Sequence, residues 1–225
     1  MESNAKSKFN KNIDDIEALL EIHGLLEDMG RDVNRPPPQS FDVLFSSATV
    51  LLVSNWEAYI EDACSEALEF LIFNSVNSEK IPKEIKKQIS KEIQNNSSNE
   101  IEMWKLSDDG WKEYLRNRLS AFKKGRDKSF NTPKSTNTSE FIKNVLGLEN
   151  IHNCWEVDGL DSSKVAEKLD HLVSVRGEIA HRAILEDTLN EQWVTDYLGF
   201  IRNLSSETDM KINSHIEAAT GKKMW

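Results

Sequence analysis

Apolar residues recur along this chain at three- and four-residue spacing, and the two-residue alternation of a half-buried strand is missing. Ile13, Ile16, Leu20 and His23, with Leu19, Ile22 and Leu26 beside them, predict an amphipathic helix ending near Gly30. Pro36-Pro37-Pro38 then imposes an extended stop. From a Ser40 cap a long helix is expected to about Asn74, with Leu44, Ala48, Leu51, Leu52, Trp56, Tyr59, Ile60, Ala63, Leu68 and Leu71 spread over more than one side. That is the pattern of a helix at the centre of a bundle, or of one that also meets a second subunit. A lysine-rich, exposed helix is expected over 82–93 and a turn over 95–99. A helix over 102–122 carries Trp104, Leu106, Trp111, Leu115 and Leu119, with a break at Asp108-Asp109-Gly110. Residues 123–137 have no helical period and contain Gly125 and Pro133, so they read as a loop. Thr138 or Ser139 should cap a short helix ending at Gly147, and Asp161-Ser162-Ser163 should open the next. Thr188-Leu189-Asn190-Glu191 has the form of a capping box ahead of a helix with Trp193, Val194, Tyr197, Leu198 and Ile201 on one face. From Gly221 onward fraying is expected, with Trp225 loose. The fold class is therefore all-α: a helical bundle with long central helices and a C-terminal helical extension. Its parts divide into an N-terminal helix and Pro-rich connector (1–39), a main helical domain (40–205) and a helical tail (206–225).

One position breaks the pattern. Winding residues 163–185 at about 100° per residue puts Val165, Leu169, Leu172, Ile179 and Ala183 on one stripe, and Arg176 falls in its middle. A guanidinium on an apolar seam is costly unless it is paired, faces a partner subunit or meets a ligand. Five residues on stands His181, about 140° further round the helix.

Composition narrows the classes. Met1-Glu2-Ser3-Asn4-Ala5-Lys6 has no apolar core, so no secretory leader is expected. The longest apolar run, residues 48–53, is far short of a membrane span. Cys64 and Cys154 give neither a disulfide framework nor metal-ligand spacing, and Cys64 reads as a buried thiol. A soluble, cytoplasmic protein without metal, cofactor or membrane attachment is expected. The net charge of −10 argues against nucleic acid in general. Locally it does not: residues 112–134 hold eight basic side chains against Glu113 and Asp127, a balance of +6. Such a segment either binds phosphates or is a solvated surface, and charge alone leaves both open.

Three segments together resemble the HEPN superfamily, and within it the RiboL-PSP-HEPN group. They are the helix around Trp56-Glu57-Ala58-Tyr59-Ile60; Phe130-Asn131-Thr132-Pro133-Lys134 leading into Phe141 and Val145-Leu146-Gly147-Leu148; and Leu172 to His181 with its Arg-x4-His spacing. They span roughly residues 40 to 205. The resemblance implies a metal-independent endoribonuclease acting as a homodimer, with Arg176 and His181 of two copies meeting in a composite cleft. RNA carries its own nucleophile, the 2′-OH, beside the scissile phosphate. Histidine suits proton transfer near neutrality and guanidinium suits the anionic transition state. The implied products are 2′,3′-cyclic phosphate and 5′-OH ends.

Glu178, three residues before His181, either orients the imidazole as a third member of the catalytic set or is a solvated charge. Lys123, Lys124, Arg126, Lys128 and Arg182 are the candidate RNA-binding residues. Gly177 departs from the polar residue, often asparagine, that commonly follows the motif arginine, and costs the helix ~1 kcal/mol relative to alanine. Ala183 stands where family toxins silenced by nucleotidyltransferases carry tyrosine, so that control is not implied. The expected role is a toxin or antiviral-defence effector, with RNA (tRNA loops among the candidates) and an antitoxin or defence-system protein as partners. The alternative is a non-catalytic dimerisation module that senses RNA or a nucleotide. His23 is expected to pack half-buried, His171 to lie at the surface, and the tryptophans to be mostly core.

Overall fold

The most apolar segment of the chain becomes the axis of the fold. The computed structural model describes residues 2–30, 41–95, 99–182 and 189–225; the side chains of 23, 26–30, 41, 42, 99, 100, 102, 125–129 and 182 lie outside the description. Helix α1 (Asn4–Gly30) precedes α2 (Phe41–Asn74). After them come α3 (Lys83–Asn95), α4 (Asn99–Trp104), α5 (Gly110–Ser129), α6 (Ser135–Leu146), α7 (Ser162–Arg182) and α8 (Glu191–Thr220). Short 3-10 turns occupy Ser78–Lys80 and Ile151–Cys154. Among the described residues there is no strand, only an isolated bridge between Val157 and Leu160 that closes a turn over Asp158 and Gly159. The chain is an all-α helical bundle, as its periodicity predicts.

Helix α2 packs against α1, α5, α6, α7 and α8. Leu52, Val53, Trp56, Ile60, Ala63, Cys64, Ala67 and Leu71 are fully buried along it. Each large side chain buried this way contributes about 1.5–3 kcal/mol. Val43–Asn74 is in fact long and apolar enough to cross a membrane. The run at 48–53 understates it, because Val43, Leu44 and Phe45 precede that run and Ala58, Ile60, Ala63 and Cys64 follow it. In this bundle its apolar surface is largely enclosed by neighbouring helices.

Helix α1 lays Ala5, Phe9, Ile13, Ile16 and Leu20 into the core and is pinned by a buried polar knot. The Ser3 N–H and Oγ donate to Asp209, and Lys6 Nζ donates to the Arg202 carbonyl at 2.9 Å and to Ser205 Oγ. The Tyr59 hydroxyl donates to the Ser205 carbonyl at 2.8 Å. Buried polar groups persist where they are hydrogen-bonded. Burial pulls the Lys6 ammonium down to about 8 even with Asp209 nearby, and raises the Asp209 carboxyl.

Four local expectations are corrected. Helix α5 continues to Ser129 where a loop was expected over 123–137, since its lysines and arginines are good helix formers and one glycine costs only ~1 kcal/mol. Helix α6 starts at Ser135, ahead of Thr138 and Ser139, because a carboxylate from α7 caps it: Ser135 N–H donates to Asp170 Oδ1 at 2.6 Å. Asn190, inside the proposed capping box, caps α8 through its Oδ1, which accepts from the Trp193 N–H at 2.9 Å, so the helix opens at Glu191, two residues later than a Thr188 cap would place it. The end of the chain is docked: Met224 N–H donates to Asn213 Oδ1 at 3.0 Å, and Met224 and Trp225 pack on the core. The expected break at 108–110 and the stop at Gly147 are both present, the latter with φ 73°. Helix α8 runs unbroken through the 205/206 boundary, burying Leu204, Thr208, Ile212 and Ile216. Trp104 is exposed, whereas Trp56, Trp111 and Trp155 are core. Pro36 to Pro38, Ser40, Ala183, Thr188 and the His23 side chain lie outside the described residues.

Candidate functional site

Trp56 and Glu57 are neighbours on α2 that look in different directions. The Trp56 indole N–H donates to the Pro133 carbonyl at 3.3 Å, and Thr138 Oγ1 donates to the same oxygen at 3.2 Å. This fixes the entry to α6, where Phe130 stacks on Phe141 with centroids 4.6 Å apart. One residue on, the Glu57 carboxylate lies 3.6 Å from Arg176 Nη2 on α7. Asp170, also on α7, caps α6. So α2 holds α6 through Trp56, α2 holds α7 through Glu57, and α7 holds α6 through Asp170. The segments around Trp56, Pro133 and Arg176, far apart in the chain, form one mechanical unit.

The arginine on the apolar stripe thus has a partner within its own chain. Val165, Leu169 and Leu172 are fully buried on that stripe, and Ile179 packs partly against the core. The Arg176 side chain is 25% exposed and that of Glu57 22%, so the charges are desolvated only in part and their attraction is partly screened. Burial raises the Glu57 carboxyl above its ordinary range, and the Arg176 charge opposes the rise. At 3.6 Å the contact is an ion pair too long for a strong hydrogen bond, which leaves the guanidinium fork able to donate to another anion.

His181 is exposed at the end of the same unbroken helix. Helical geometry separates it from Arg176 by about 140° of rotation and 7.5 Å of rise. Gly177 lies between them, and a Cβ there would meet nothing within 4 Å. The glycine answers no packing demand and leaves open space beside Arg176. Glu178 is exposed, and among the described residues no hydrogen bond joins it to His181. His171 is exposed but fixed, its Nδ1 2.8 Å from the Tyr197 hydroxyl, and Lys168 Nζ sits 4.7 Å over the Phe200 ring.

The basic segment is partly neutralised by structural pairs. Lys112 pairs with Asp109 at 2.9 Å, Arg118 with Glu92 at 2.9 Å, and Lys123 with Glu69 at 3.1 Å. Arg118 also donates to the Asn144 carbonyl at 2.7 Å, tying α5 to α6. Lys123 borders a groove whose other walls include Asp62 and Glu66. It meets α2 twelve positions beyond Glu57, about 18 Å along the helix from the Arg176 pair. Lys124 is exposed, and the side chains of Arg126, Lys128 and Arg182 lie outside the described residues. Also among the described residues, no group of three or more His, Cys, Asp or Glu side chains is placed to hold a metal ion.

Sequence reasoning missed Glu57 as a member of the site. The only hint was a carboxylate between Trp56 and Ala58-Tyr59-Ile60 on an otherwise apolar stretch, and nothing in the sequence pairs it with Arg176.

Comparison with known proteins gives one positive result. The family model RiboL-PSP-HEPN matches residues 6–214, which takes in most of α1 and all of α2 to α7. No curated protein and no solved structure matches the chain. A HEPN domain points to a nuclease or RNA-related role. With the match covering nearly the whole chain, this all-α protein belongs to the RiboL-PSP-HEPN family.

Proposed function

We propose that the chain is a metal-independent endoribonuclease that works as a homodimer. One observation carries this reading: Arg176 is paired at the α2–α7 seam with Glu57 at 3.6 Å, and His181 is exposed further along the same helix. Arg176 grips the scissile phosphate and the charge that grows on it in the pentacoordinate transition state. His181 takes the 2′-OH proton as that oxygen attacks phosphorus, or returns a proton to the departing 5′-oxygen. The P–O5′ bond breaks as the O2′–P bond forms, leaving a 2′,3′-cyclic phosphate and a 5′-OH. Glu178, exposed one turn before His181, makes no hydrogen bond to the imidazole among the described residues and is the candidate to orient it when RNA is bound.

Within one copy, 140° of rotation keeps the two side chains from converging on a single phosphate. A two-fold partner removes the difficulty by supplying His181 to the other copy's Arg176. The face for that partner is the uncovered side of α2, where Val43 and Leu51 are exposed and Val50, Ser54 and Ala58 continue the strip toward Glu57. Lys123, Lys124, Arg126, Lys128 and Arg182 are the candidate contacts for the rest of the RNA backbone. A toxin or defence effector held in check by a partner protein fits such an activity. The second reading, a non-catalytic dimerisation module, draws on Gly177 and on the neutralised basic segment.

Complementation tests the composite site directly. Arg176→Ala and His181→Ala are each expected to be inactive alone. Co-expressed, they form mixed dimers in which one cleft keeps both wild-type groups, so RNA cleavage returns to a substantial fraction of the wild-type rate. Mixed dimers as dead as either variant would exclude a site shared between copies.

A further inference from the structure

The motif arginine faces a fixed negative charge before any RNA arrives. The Glu57 carboxylate lies 3.6 Å from Arg176 Nη2 across the seam between α2 and α7, and both side chains are half-buried. Trp56, the preceding residue, is itself tied to the Pro133 carbonyl and has no exposed surface, so the backbone that carries Glu57 is firmly placed. On the α7 side, Gly177 contributes no side chain to steady its neighbour. Glu57 is thus the charged partner that the guanidinium meets among the described residues.

We propose that Glu57 is the positioning residue for Arg176. It holds the guanidinium on the seam through an ion pair that leaves the fork's donors available, and it yields part of that pairing when the scissile phosphate binds. The inference rests on the nuclease reading above and adds a residue that the Arg-x4-His spacing does not contain. Two opposite consequences follow from one carboxylate. Its negative charge weakens the ground-state attraction of Arg176 for phosphate, while its grip keeps the guanidinium in the orientation that the transition state needs. Arg176 is the charged side chain that acts on Glu57, and Glu61 follows one turn on along α2. Burial raises the Glu57 carboxyl, so it becomes neutral and loosens its hold at a pH where ordinary carboxylates are still ionised.

The test is steady-state cleavage of a labelled single-stranded RNA by wild type, Glu57→Gln, Glu57→Asp and Arg176→Ala across the acid range, alongside thermal melting. For Glu57→Gln at neutral pH, KM should fall about threefold, because a repelling charge is gone. Its kcat should fall about tenfold, because the guanidinium is no longer aligned. Wild type should approach the glutamine variant as the pH falls through the Glu57 range, and aspartate should recover part of kcat. A change in melting temperature with kcat, KM and pH profile all unmoved would reduce Glu57 to a structural role and overturn the proposal. An inactive Arg176→Ala beside a fully wild-type Glu57→Gln would sink the role of Glu57 alone. A fully active Arg176→Ala would sink the nuclease mechanism with it.

Discussion

Two residues, Arg176 and Gly177, stand next to each other on α7 and are both out of keeping with an ordinary amphipathic helix. The arginine's cost is offset by Glu57, whereas the glycine's is not offset by any contact: its backbone is helical, and a methyl group would enter open space. Gly177→Ala should therefore stabilise the folded chain by about 0.5–1 kcal/mol, through helix propensity and a less free unfolded state. Chemical denaturation reads this as a higher midpoint at unchanged slope. A loss of stability would mean that the glycine serves a backbone conformation other than the regular helix. Of the candidate site, Arg176 and His181 are proposed from the sequence by residue type and spacing. Glu57 is not, because its meaning depends on a partner far along the chain. An acid in a greasy helix is a solvated edge or half of a buried pair, and only packing decides which.

At the scale of elements, the same difference separates what periodicity reveals from what it hides. Helices α1, α2 and α3 follow from apolar spacing, and the end of α6 follows from Gly147, whose φ of 73° and closeness to Pro82 leave room for no other residue without strain. The start of α6 does not follow from its own residues. Its first turn is capped by Asp170, a carboxylate on α7 that accepts from the Ser135 N–H at 2.6 Å. Asp170→Ala should cost about 1 kcal/mol, as loss of a helix cap does. It should also loosen the α6–α7 contact, which a double-mutant cycle with Trp56→Phe detects as non-additive stability loss. Strict additivity would show that the two links to the Pro133–Ser135 corner act independently. The extension of α5 to Ser129 was hidden for a different reason: charged residues set its last turns, and they carry propensity without periodicity.

Across the whole molecule, the fold builds one rigid corner from three helices and leaves the polar outer face of α7 open. The chain as a whole is acidic, and pairs with Asp109, Glu92 and Glu69 neutralise part of the basic excess on α5. The fold class was legible at this scale because a chain of amphipathic helices around one greasy helix has few ways to bury it. The docking of Trp225 and the unbroken course of α8 were not, since both depend on surfaces that other helices supply. In the proposed mechanism Arg176 and His181 break the P–O5′ bond with the RNA's own 2′-OH as nucleophile. Its most direct test is cleavage of single-stranded RNA and total tRNA in EDTA by wild type, Arg176→Ala and His181→Ala, with chemical analysis of the new ends. Wild type alone should produce 2′,3′-cyclic phosphate and 5′-OH ends, and 2′-deoxy substitution at the cut site should abolish the reaction. Intact RNA with a folded, dimeric wild-type protein would contradict the catalytic reading, as would 5′-phosphate ends or equal cleavage by the variants.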